Sequence, residues 1–177
     1  RRNGKVMEVS STGEFGPNLS GFSLIRPPRS LDDLRDIGLG KELLIKVNPK
    51  LIIDVEATTG GVRSTGVPRF GRVRVTAGGC HLSDVVEVSD LLSQAGGVTV
   101  EGPISLGRSR LKVESGSLTL ILKPGSSVTV HADAKFGHIR WPEDNGGADE
   151  VVFGNGSARC DLTVTMGLAT VKSEVPA

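Results

Sequence analysis

The chain has 177 residues, and its 21 Lys and Arg against 20 Asp and Glu leave a net charge of +1, a balance that supplies no global field for nucleic acid or an acidic partner. Aromatic residues are 3% of the total while glycines number 24, which excludes an interior filled with large rings and favours a narrow stack built from Val, Leu and Ile. No apolar run approaches the roughly 18 residues needed to cross a bilayer, so no transmembrane segment is expected in this chain.

The sequence opens on Arg1-Arg2-Asn3 without Met, which suggests a processed or truncated product preceded by a signal, transit or membrane segment. Residues 1–50 read as a lead-in that caps the repeat domain. Short apolar runs at Met7–Val9 and Phe22–Ile25 suggest strands, the second ended by Pro27 and Pro28, which lack a ladder donor. The Arg26-Pro-Pro-Arg29 run reads as a rigid turn more readily than as a polyproline ligand. Ser30-Leu-Asp-Asp then predicts a short helix near 31–37: Ser30 caps it, Asp32 and Asp33 suit its positive end, and Gly38 and Gly40 stop it. Glu42–Val47 is expected as a strand, with Asn48-Pro49 turning the chain into the repeats.

From Leu51 onward a glycine returns with a fresh apolar strand on each side. Gly61, Gly79, Gly97, Gly116 and Gly137 follow one another at steps of 18, 18, 19 and 21 residues. A period near 20 in β-type sequence predicts an all-β fold in which 51–173 is a single β-solenoid of coils that bury their apolar faces on one another. Alternation within the coils is strict: Val73 and Val75 point one way and Arg72 and Arg74 the other, and Leu111 and Val113 repeat this against Arg110 and Lys112. The marker glycines, with Gly167 as the sixth, are expected at corners that need positive φ or close backbone approach. After Trp141 the period breaks in a polar loop over 142–158, and Arg159–Lys172 restores it as the last coil of the stack. Residues 174–177 form a tail.

This pattern resembles the DUF4097 group of bacterial adhesin-like domains, which belongs with the "toast-rack" β-repeat domains of envelope-stress and phage-shock membrane proteins. The likeness covers about 51–173. It is most specific in Gly137-His-Ile-Arg-Trp-Pro142, in Gly154-Asn-Gly156, and in the final strand Leu162–Gly167. The resemblance implies a non-enzymatic β-solenoid that is extracytoplasmic, at a cell envelope and membrane-associated. Similar domains also occur in organelles, which leaves a mitochondrion or plastid, after loss of a presequence, as the alternative. Residues 1–50 are longer than the family's usual lead-in.

Candidate chemistry is sparse, and no catalytic residues, cofactor or metal ligands are assigned. His131, Asp133 and His138 are the nearest approach to a metal set, although a solvent-facing polar cluster accounts for them as well. Glu143, Asp144, Asp149 and Glu150 place acids together without calcium-hand spacing. Gly38-Leu-Gly40-Lys41 and Gly154-Asn-Gly156 resemble pieces of phosphate loops but lack the strand-before, helix-after context. Asn18-Leu-Ser20 and Asn155-Gly-Ser157 match the glycosylation sequon. Cys80 and Cys160 fall about four coils apart in this register, too far for a disulfide, and are expected buried and reduced.

The candidate contact surface is a basic stripe formed by Arg63, Arg69, Arg72 and Arg74 with Arg108, Arg110 and Lys112. If outward positions align from coil to coil, it would meet anionic lipid, a glycan or an acidic protein face. The function expected is therefore a rigid interaction surface with a protein partner or complex, and with no nucleic acid. Two alternatives remain open at this level: a carbohydrate-active enzyme on a β-helix, and a polymerising scaffold of the bactofilin type or an accessory subunit of an organellar complex.

Overall fold

The computed structural model describes residues 2–3, 6–7 and 45–175. The chain divides into two units, Arg1–Lys46 and Val47–Ala177, and each is taken by itself. In the first, β1 (Arg2–Asn3) pairs antiparallel with β2 (Val6–Met7). The strand expected at 22–25 and the helix near 31–37 lie outside the described residues. Residues 45–47, the described part of the strand expected over 42–47, carry no regular structure.

The second unit is all β among the described residues. Its strands are β3 (Ile53–Thr59), β4 (Val62–Ser64), β5 (Arg69–Ala77), β6 (Cys80–Leu82), β7 (Glu87–Gly102), β8 (Arg108–Leu122), β9 (Val128–Arg140), β10 (Glu150–Phe153) and β11 (Ala158–Ser173). They form one nine-stranded sheet in the order β10-β9-β11-β8-β7-β5-β3, in which β4 pairs β6 and β6 pairs β7. Every pairing is parallel except β10 with β9. The sheet is therefore mixed. Parallel in-register neighbours explain the sequence period directly, because a residue one step along the repeat lands beside its predecessor one strand away.

Two inward columns carry the core. Before the corner, Val55, Val73, Leu91, Leu111, Leu162 and Ala132 stand side by side. After it, Val62, Cys80, Val98, Leu118, Ala169 and Ile139 do the same. All are buried except Val55, Val62 and Ile139, which are half-buried. Each Leu or Val so removed from water contributes on the order of 1.5 to 3 kcal/mol. One polar atom sits among them: Ser93, between Val75 and Val113, keeps a buried Oγ with no partner among the described residues.

Between the columns runs a line of glycines, and here the sequence reading needs correction. Positive φ falls on the first glycine of each Gly-Gly pair, at Gly60, Gly78 and Gly96, and not on Gly61, Gly79 or Gly97. The line continues through Gly116, Gly167 and Gly137, of which Gly116 and Gly167 have φ of 140° and 138°. A Cβ built on Gly96 would lie far inside contact distance of the Gly78 carbonyl, and one on Gly116 would do so against Gly96. The second glycine is less constrained: a Cβ at Gly97 meets only the Ser117 hydroxyl, at 3.3 Å.

The spatial order also departs from chain order. The coil ending in Gly167 was expected at the end of the stack, beyond the Gly137 coil, yet β11 inserts between β8 and β9. The supposed loop over 142–158 supplies the means. Within it β10 runs back along the outer edge of β9 from His131 to Val128, and Gly154–Ser157 then carries the chain past Ser127 to the other side of β9. That turn is tightly fitted. Asn155 donates its N–H to Ser127 Oγ (3.1 Å), Ser157 donates its hydroxyl to Ser127 O (3.3 Å), and Ala158 N–H bonds the same carbonyl (2.9 Å). A physical reason for the order lies in side-chain size. Strand β11 offers Leu162, Val164 and Val171 inward, which gain from apolar neighbours on both sides, whereas β9 offers Ala132 and Ala134 and loses little at an end.

The glycine line generates a paired prediction. Gly116→Ala is expected to lower stability by roughly 2 kcal/mol or more, since strain at positive φ adds to backbone displacement, while Gly97→Ala stays within about 1 kcal/mol. Urea midpoints of the two variants check this, and equal shifts would contradict the register.

Candidate functional site

The alignment that builds the core also fixes the outward face, because alternate residues in each strand point away from the interior. One outward column passes from Asp54, whose carboxylate accepts the Arg72 N–H (2.7 Å), through Arg72 and Asp90, then Arg110, Asp161, His131 and Glu150. Its neighbour holds Glu56, Arg74, Leu92, Lys112, Thr163 and Asp133. In the first column acid and base alternate strand by strand.

This arrangement replaces the continuous basic stripe with a chequered one. Arg69, Arg72 and Arg74 lie on β5, and Arg108, Arg110 and Lys112 on β8, but Glu87, Asp90 and Leu92 of β7 stand between the two sets. Arg69 pairs with Glu87 (3.1 Å) and Arg74 with Asp90 (2.5 Å). Arg108 and Arg159 both hold Asp161, at 2.7 and 3.0 Å, and Arg159 also approaches Glu150 at 3.8 Å. Among the described residues Arg63, Arg72, Arg110 and Lys112 make no ion pair. Arg63 stands past the corner on a different face, in a column with His81, Thr99, Thr119, Thr170 and Arg140. The middle of that column is a half-buried, uncharged threonine line.

Burial works to raise the Asp161 carboxyl, but hydrogen bonds from Arg108 and Arg159 outweigh it and hold the group below the ordinary carboxylate range. Glu101 is likewise lowered, first by the Ser83 hydroxyl at 2.9 Å and then by His81. The thiols go the other way. Burial pushes Cys80 up to about 11 and Cys160 up to about 12, the latter with help from the neighbouring Asp161 charge. Both are free. They lie on β6 and β11, on opposite sides of the corner and three strand spacings apart, not four, which alone is about 14 Å and well beyond disulfide reach.

The remaining sequence candidates do not assemble. His131 lies between Asp161 and Glu150, Asp133 is in the adjacent column, and His138 is past the corner. Among the described residues no group of three His, Cys, Asp or Glu side chains is placed to hold a metal ion. In the 142–149 connection, Asp144 Oδ1 accepts the Gly146 N–H (3.0 Å) and Asn145 Oδ1 accepts that of Gly147 (3.2 Å), so these oxygens shape turns. The amides of Gly154-Asn-Gly156 are engaged too, Asn155 with Ser127 and Gly156 with the Phe153 carbonyl at 3.3 Å. Gly38-Leu-Gly40-Lys41 and Asn18 lie outside the described residues.

What the sequence reading missed is the alternation of charge, and its signal was present: Asp54, Arg72 and Asp90 follow one another at the repeat spacing, as do Arg69 and Glu87. No family model, no curated protein and no solved structure matches the chain.

Two outcomes follow from the chequered face. Arg72→Glu, set between Asp54 and Asp90, is expected to cost about 1 kcal/mol at low salt, a penalty that shrinks in 1 M salt, where the screening length falls to about 3 Å; a salt-independent loss in urea midpoint would contradict this. A depressed carboxylate adds stability that is fully present above its unfolded pKa and is lost as pH falls through the folded one. Asp161→Asn should therefore be less stable than the parent at pH 7, by about 1 kcal/mol for a partly exposed pair, with the gap closing below about pH 4. A gap unchanged at pH 3 would contradict the assignment.

Proposed function

We propose that the chain is a non-catalytic β-solenoid that offers a rigid surface to a protein partner, in a membrane-associated complex of the cell envelope. The observation that carries this reading is the run of parallel, in-register rungs from β3 to β9, which sets outward side chains at one strand spacing, near 4.8 Å. Such a face recognises by shape. The chequered charge supports a protein partner over an anionic lipid or glycan surface, because three of the six Arg side chains of the supposed basic stripe, Arg69, Arg74 and Arg108, are ion-paired with acids on the next rung.

Within this reading the threonine line of Thr99, Thr119 and Thr170 is the contact face, bordered by Arg63 and Arg140. It combines half-burial with the absence of charge, the character of an interface core more than of a rim. The envelope setting rests on the resemblance to the DUF4097 group through Gly137-His-Ile-Arg-Trp-Pro142 and the Gly154-Asn-Gly156 turn. In the organellar alternative the same surface would serve a complex subunit.

Thr119→Glu tests the proposal. With tagged protein in its native cell, the variant is expected to keep the parent unfolding midpoint yet leave the large species that the parent enters on a native gel. Migration of the parent as a lone chain, or cleavage of acidic glycans by the purified protein, would overturn it.

A further inference from the structure

Among the described residues the outer edge of β9 is only partly covered. Strand β10 pairs with Val128–His131, and Ala132 donates its N–H outward to Asp149 O at 2.9 Å. From Asp133 to Arg140 no described residue bonds to this edge. Phe136, at the corner, is 73% exposed. An uncovered edge of this kind is a template for another strand.

The direction of the free backbone groups narrows what fits. Ala134, two residues after Ala132, presents its N–H and C=O outward as Ala132 does. Past the corner, Val62 donates its N–H to Gly79 O at 2.9 Å, towards the next rung. Members of one column in a parallel ladder all point the same way. Ile139, which ends the Val62 column, therefore also points out of the sheet. The corner thus brings two edge-directed, inward-facing residues, Ala134 and Ile139, to equal distances on either side of the Phe136-Gly137 bond.

We infer that β9 pairs antiparallel with β9 of a second copy about a two-fold axis through this corner. Ala134 then exchanges hydrogen bonds with Ile139 of the other chain, and the operation repeats the contact, as an isologous interface requires. Asp133 falls opposite Arg140, giving two cross-strand ion pairs. Phe136 falls opposite Gly137 and covers it, the arrangement in which an aromatic ring protects a glycine in a neighbouring strand. Lys135 faces His138.

The competing arrangement is a head-to-tail stack that continues the glycine line from β9 of one copy onto β3 of the next. It sets Asp133 beside Glu56 and Arg140 beside Arg63, the two ends of each outward column carrying the same sign. Like charges directly opposite disfavour pairing. The edge therefore closes a dimer and blocks a filament, a conclusion that does not use the threonine line proposed above and shares only Arg140 with its border.

Sedimentation equilibrium on the full chain across a concentration series tests it. The parent is expected to approach a dimer mass and stop there. Asp133→Arg or Arg140→Asp alone should raise the dissociation constant about tenfold or more, and the two together should restore it, while Glu56→Arg leaves it unchanged. Circular dichroism of each variant confirms that the fold is retained. A parent that stays monomeric to millimolar concentration, a mass that grows without limit, or a dimer indifferent to Asp133→Arg would overturn the inference.

Discussion

At each rung of the sheet a glycine carbonyl occupies the space that a side chain on the next rung would need. This contact fixes how one strand sits beside its neighbour, because a shift of one residue would drive a Cβ into that carbonyl. Register in a β-sheet is otherwise set by the apolar pattern. Here two constraints agree: the glycine line pins the corner, and the columns of Val and Leu on either side pin the arms.

The outward chemistry follows from the same register. Once Arg72 is aligned with Asp90 and Arg110 with Asp161, the charges compensate from strand to strand and the surface carries a grid in place of a basic patch. Each exposed pair contributes little alone. Their joint effect is to make misregistered pairings unfavourable. The groups whose ionisation the fold perturbs, among them Asp161 and the two buried thiols, lie on the strands that carry the core and its outward ion pairs.

Much of this was legible in the sequence, because parallel in-register strands turn a spatial neighbour into a fixed sequence step. The repeat and the inward residues Val73, Val75, Leu111 and Val113 could be read that way. The position of β11 could not. Its contacts with β8 join residues such as Leu111 and Leu162, and the pattern of either strand is the same whether they lie adjacent or one rung apart. In Gly-Gly pairs composition does not say which member takes positive φ, hence the one-residue error at Gly96 and Gly97. The charged residues misled for a related reason: Arg69, Arg72 and Arg74 cluster along the chain, but what they meet is decided by Glu87 and Asp90 on the next rung.

The insertion of β11 between β8 and β9 sets Asp161 between Arg110 and His131 and puts β9 outside it in the sheet order. Nuclear Overhauser contacts in uniformly labelled protein read it directly. The account predicts cross-strand contacts from Leu162 to both Leu111 and Ala132, and from Val164 to both Val113 and Ala134, with none between Leu111 and Ala132, which lie two strand spacings or about 10 Å apart. Direct contact between Leu111 and Ala132, with Leu162 touching Ala132 alone, would show that the coils stack in chain order and would contradict it.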